Sequence, residues 1–243
     1  VGGLITAVSW QVVPMFYLTA ELPSFRKKTV LILTTLGVVL PLIVLLASLA
    51  VPGGTSGWHP IHVAAFGALP AVLGVWLLHP GLILQNLRGR RRKRLDASLF
   101  FWQAGLCLAP VTAVVAGIAF FADDPRWAFL FGWLAIWGWA GIIIHGMLSR
   151  IVPFLVWFHR FSPHIGRIRV PAMRNLLPDS WTKLGLGFHV ASLVLGALAI
   201  ITRDPWIARA TGVLMLATGV NLLHWIIYIL RQQPDLSALA TDE

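Results

Sequence analysis

The chain is expected to fold as an all-α, polytopic transmembrane bundle of about seven spans, and three observations predict it. Of 243 residues, 58% are hydrophobic and only 12% charged, with a mean hydropathy of +0.80. The apolar residues gather into seven runs, near 1–18, 29–51, 61–84, 98–121, 127–157, 184–202 and 207–230. A hydrocarbon layer of ~30 Å takes ~20 helical residues, so each run is long enough, or nearly so, to cross it. The charged residues lie almost entirely between the runs.

The first run opens at Val1 with no starting Met and no basic flank, unlike a signal peptide. It is short, as a span lacking its N-terminal part would be, and the chain is expected to be missing such a part. Pro14, Pro41, Pro70, Pro110 and Pro153 fall inside runs, which membrane helices tolerate when neighbours satisfy the freed carbonyls. Residues 1–243 are read as a single transmembrane domain. Residues 158–182, with Pro163, Pro171 and Pro178, are read as a connecting loop, irregular or holding a short interfacial helix.

A formal net charge of +10 invites a nucleic-acid reading, but the arrangement of the charges argues for topology. Alternate loops receive Arg26, Lys27 and Lys28, then Arg88, Arg90, Arg91, Arg92, Lys93 and Arg94. Arg160, Arg167, Arg169, Arg174, Lys183 and Arg231 follow on the same side. The other side holds only Arg126, Arg203 and Arg209, with Asp123, Asp124 and Asp204. By the positive-inside rule the first side is cytoplasmic, and so is the C-terminus. The basic run at 88–94 reads first as a lipid-headgroup anchor. Trp127, Trp157, Trp181 and Trp206 fall at expected membrane ends, where aromatic belts belong. One cysteine, Cys107, excludes a disulfide framework.

Ionisable groups deep in a membrane point to a working site, and here they are histidines. His59, His62, His159 and His164 fall near span ends, where surface or capping roles suffice. His79, His145, His189 and His224 fall inside runs. From the run ends, His79, His189 and His224 are placed roughly 6–12 Å inside the cytoplasmic boundary, and His145 ~18 Å inside it.

On helical spacing, Gly138, Gly141, His145 and Ser149 share one face. His189 shares a face with Gly185, Ser192 and Gly196, and His224 with Thr218, Asn221 and Tyr228. Small residues on such faces let a second helix approach, or leave room for a planar macrocycle. His79 has only Val72, Val75 and Trp76 at helical spacing, so packing explains it equally well.

A neutral buried imidazole can ligate haem iron or copper through one nitrogen while the other is fixed by a hydrogen bond. The candidate ligand set is therefore His145, His189 and His224, with His79 as a further metal candidate. Arg150 would suit a propionate, another anion or a snorkelling position. Tyr228 stands four residues after His224, in an H-x-x-x-Y spacing that is common by chance. The same histidines would equally serve a transporter or channel that relays protons or binds a solute, or simple helix packing in a structural subunit of a respiratory complex. No G-x-G-x-x-G, P-loop, G-x-S-x-G or C-x-x-C pattern occurs.

Three stretches carry a resemblance: Ser9–Phe16 (SWQVVPMF), His145–His159 (HGMLSRIVPFLVWFH) and Val170–Pro178 (VPAMRNLLP). They look like a group of bacterial multi-pass membrane proteins similar to the NnrS family and, more remotely, to subunit I of heme-copper oxidases. The resemblance implies a bacterial inner-membrane bundle with histidine-ligated haem b, copper as a second cofactor, and a role in electron transfer or in nitric oxide or oxygen handling. Lipid, a small gas or quinol, and partner subunits or further copies of the chain are the implied partners. The chain departs from the family in having seven expected spans rather than twelve, and in lacking the adjacent His-His pair of an oxidase copper site.

Overall fold

The computed structural model describes residues 1–50, 60–91 and 96–234. His59, Arg92, Lys93 and Arg94, and the side chain of His62, lie outside the described residues. Seven helical segments account for nearly all of the rest: α1 (Gly2–Tyr17), α2 (Ser24–Ala50), α3 (Val63–Arg88), α4 (Ala97–Phe121), α5 (Arg126–His164), α6 (Asp179–Thr202) and α7 (Pro205–Arg231). Six of them, α2 to α7, are long and apolar enough to cross a membrane. α1, at 16 residues, is shorter than a spanning helix needs. The molecule is a membrane-helical bundle.

The apolar faces of these helices point outward as well as inward. Leu31, Val38, Leu46, Val114, Val194, Val213 and Leu216 are all exposed. In water that pattern would be an aggregation hazard; in lipid it is the expected surface. The middle of α3, and the first half and the end of α5, are wound more loosely than α-helix. π-turns span Val72–Leu78, Leu134–Gly141 and Trp157–Phe161. Such turns slip the hydrogen-bond ladder by one residue and recur at functional sites.

The chain divides into two compact units. The first comprises residues 1–93 with 106–127. In it α1 and α2 pack on α3, and Phe66 meets Phe120 edge-on at 5.4 Å. α2 crosses α3 at Gly37, where a Cβ would stand 2.2 Å from the backbone nitrogen of Ala71. Only hydrogen fits there. At one end of this unit Arg26 donates to Gln85 Oε1 at 3.3 Å, and the Arg91 N–H to the Leu18 carbonyl at 3.3 Å.

The second unit comprises residues 94–105 with 128–243, and here α6 and α7 form an antiparallel hairpin against α5. Arg203, in left-handed conformation at φ 59°, ends α6, and the Asp204 carboxylate accepts from Trp206 N and Ile207 N to start α7. At the opposite end Arg160 donates to the Leu230 and Gln232 carbonyls, capping α7. A cation at a helix C-terminus also meets the negative end of its dipole.

The connection after α5 is shorter than the sequence predicts. Helical winding continues to His164, and α6 begins at Asp179, so irregular chain is confined to 165–178, apart from a 3₁₀ turn at Met173–Asn175. That segment is tethered by its own apolar residues. Leu176 and Leu177 are buried with Val156, Phe161, Trp225 and Ile229, and Trp157 donates to the Pro171 carbonyl at 2.9 Å.

Candidate functional site

Two of the four deep histidines meet. His145 on α5 and His189 on α6 are 4% and 2% exposed, with their Nδ1 atoms 3.4 Å apart. Counting from run ends places the two at different depths; their contact shows that they share one level.

The small residues beside the histidines are what allow the approach. A Cβ on Gly141 would come 3.4 Å from His189 Cε1, and one on Gly185 3.2 Å from His145 Nε2. Trp137 of the π-turn and Trp133 just before it close the seam. Trp137 stacks on His189 with centroids 4.2 Å apart, and its Nε1 donates to Ser192 Oγ at 2.8 Å. Trp133 Nε1 donates to the Leu193 carbonyl at 2.9 Å. His145 itself lies by Phe101, at 4.6 Å between centroids, and Trp225, at 6.5 Å.

The network dictates the tautomers. His189 Nε2 stands 3.0 Å from the Trp137 carbonyl, which can only accept, so Nε2 carries the hydrogen and Nδ1 the lone pair. His145 must then donate from its own Nδ1, which leaves Nε2 bare. That nitrogen is buried and has no hydrogen-bond partner. Close to it is Asn221 Oδ1, also buried and without a partner. The Cβ position of Gly185 is 3.2 Å from the first atom and 2.7 Å from the second. The two atoms converge where Gly185 has no side chain, and the opposite orientation of the Asn221 amide would set its Nδ2 donor toward His145 Nε2.

The other candidates are placed apart from this pair. His224 is exposed, with its ring 4.8 Å from Trp181, which also meets Tyr228 at 4.8 Å. Thr211, Thr218, Trp225 and Ile229 form the buried stripe of α7, so one residue of rotation, about 100°, turns His224 and Tyr228 away. Arg150 finds its carboxylate within the chain, forming an ion pair with Asp96 and donating from Nε to Ser98 Oγ at 2.7 Å. Asp96 also accepts from Ser98 Oγ at 2.8 Å and from Leu99 N at 3.2 Å, capping α4.

In the first unit His79 is wholly buried, 2.8 Å from Ser9 Oγ. The Ser9 hydroxyl donates to the Thr6 carbonyl at 2.7 Å, so His79 donates from Nε2 and its Nδ1 is unpartnered. His159 donates from Nδ1 to Leu155 O at 2.8 Å in its own helix.

These positions bear directly on haem. Two axial histidines stand on opposite faces of a macrocycle, whereas His145 and His189 hydrogen-bond each other. On the bare Nε2 of His145, Gly185 and Asn221 occupy the space a porphyrin plane would need. The pair as packed does not fit haem. Among the described residues no group of three His, Cys, Asp or Glu side chains converges to hold a metal ion. The site instead offers one oriented nitrogen and one amide oxygen between aromatic walls. No family model, curated protein or solved structure matches the chain.

Proposed function

We propose that the protein is a histidine-dependent membrane transporter or channel in which His145 receives the solute or proton. The observation that carries this reading is the bare, buried Nε2 of His145, held in one tautomer by His189. Buried polar side chains on α5, α6 and α7 support it. Thr182, His189 and Ser192 lie along α6, Ser149 and His145 along α5, and Thr218 and Thr211 along α7. Most basic residues of the second unit, Arg203 and Arg209 excepted, lie toward the end where α5 and α7 finish, and by the positive-inside rule that end is cytoplasmic. We place the protein in a bacterial inner membrane with its C-terminus inside.

The test is flux through the full chain in proteoliposomes under an imposed pH gradient. His145→Leu is expected to reduce dissipation of the gradient at least roughly tenfold, the equivalent of ~1.4 kcal/mol of lost interaction. Equal flux in wild type and variant would sink the reading.

One observation favours the reading implied by the NnrS and heme-copper oxidase resemblance. A ligating histidine usually donates its other ring N–H to a fixed acceptor, and His145 donates to His189 in that way. Haem b or copper with electron transfer, or nitric oxide or oxygen chemistry, would follow once α6 and α7 moved off Nε2. A dithionite-reduced minus air-oxidised spectrum of protein made in haem-replete cells decides between the two. The packing predicts no haem bands; bands that vanish in His145→Ala would restore the haem reading.

A further inference from the structure

We propose that the C-terminal end of α7 carries a surface site for one anionic glycerophospholipid, built from His224, Tyr228 and Arg231 with Trp181 of α6. The site is independent of what the His145–His189 pair does. At steps of four and three, the three residues of α7 fall on one helix face, and all three are exposed. Trp181 leans on that face from α6, its ring 4.8 Å from both His224 and Tyr228.

The stripe is polar on a surface that is otherwise apolar. Val220, Leu223, Ile227 and Leu230 around it are exposed, as suits contact with acyl chains. A neutral imidazole, a phenol and an indole each carry one N–H or O–H donor. Among the described residues none of these three side chains has a hydrogen bond within the chain. Hydrocarbon supplies no acceptor in its place, so the occupant of this face brings acceptors with it.

Depth and charge select the occupant. At a rise of 1.5 Å per residue, Tyr228 lies roughly 4.5 Å and His224 roughly 10 Å below Arg231. A glycerophospholipid presents its acceptors in that vertical order, phosphate oxygens uppermost and ester carbonyls beneath them. Arg231 meets the phosphate, Tyr228 donates to a phosphate or glycerol oxygen, and His224 to an ester carbonyl. Arg160, which caps α7 from α5, puts a second cation at the same end. Neither arginine is in an ion pair among the described residues, so a headgroup with net negative charge is favoured over a zwitterion.

The experiment is native mass spectrometry of the purified, delipidated full chain in detergent micelles with equimolar dioleoyl phosphatidylglycerol and dioleoyl phosphatidylcholine. Expected is one retained phosphatidylglycerol per chain, preferred roughly tenfold, the size of one hydrogen bond to a charged group. Arg231→Gln is expected to abolish the preference. Tyr228→Phe, which removes an O–H and keeps the stacked ring, is expected to weaken retention severalfold. Arg209→Gln removes an exposed arginine beside Trp206 at the other end of α7, and is expected to change nothing. Equal retention of the two lipids, retention undiminished in Arg231→Gln and Tyr228→Phe, or an equal loss in Arg209→Gln would each overturn the proposal. A lipid-free dimer that Tyr228→Phe dissociates would overturn it in favour of a second copy of the chain on this face.

Discussion

An Asp96→Leu protein is expected to lose about 3–5 kcal/mol of stability, because it strands the Arg150 guanidinium in a buried position. The two side chains are only 11% and 14% exposed, so water cannot replace the lost partner. Asp96 also caps α4 through Leu99 N, which adds ~1 kcal/mol to the loss. Replacing both charges, Asp96→Leu with Arg150→Met, is expected to restore most of the stability, since a buried ion pair is often matched by apolar packing. The measurement is the unfolding midpoint in mixed micelles with increasing denaturing detergent. A single variant as stable as wild type would show that the pair contributes nothing, and a double variant as unstable as the single would show that the charges are needed for more than each other.

Gly37→Leu has the second large effect, at the upper end of what overpacking costs, about 3 kcal/mol. The obstacle is backbone: a Cβ at position 37 would approach the nitrogen, Cβ and Cα of Ala71 at 2.2, 2.4 and 2.7 Å. No rotamer relieves a clash between two helix axes, so α2 would have to move off α3. Gly3, by contrast, has nothing within 4 Å of its Cβ position, and Gly3→Leu is the matched control. Thermal unfolding followed by circular dichroism should separate the two variants; coincident curves would mean that α2 and α3 do not pack as described.

The spans were legible because hydrocarbon imposes length, and a run of apolar residues satisfies that demand locally. The faces were legible only where small residues marked them. Gly141 and Gly185 flagged the two histidines that do approach one another, and they are the residues that make the approach possible. Which histidines pair was not legible, because it depends on how each helix is rotated about its axis and set in height against its neighbours. The polar stripe of Thr218, Asn221, His224 and Tyr228 reads convincingly on a helical wheel. Trp225 and Ile229 bury more apolar surface, however, and they turn His224 outward. His79 lacked a stripe because its partner, Ser9, comes from a different helix. Asp96 gave no signal at all: its partner Arg150 lies far along the chain, and only the folded unit brings them together. The π-turn carrying Trp137 was likewise invisible, since no residue type specifies it.

The carbonyl of Trp137 sets a limit on how the two imidazoles can behave. A peptide oxygen accepts a hydrogen bond but passes no proton onward, so the row from His145 to His189 is a cul-de-sac. A proton held on His189 therefore finds no onward acceptor beyond the Trp137 carbonyl.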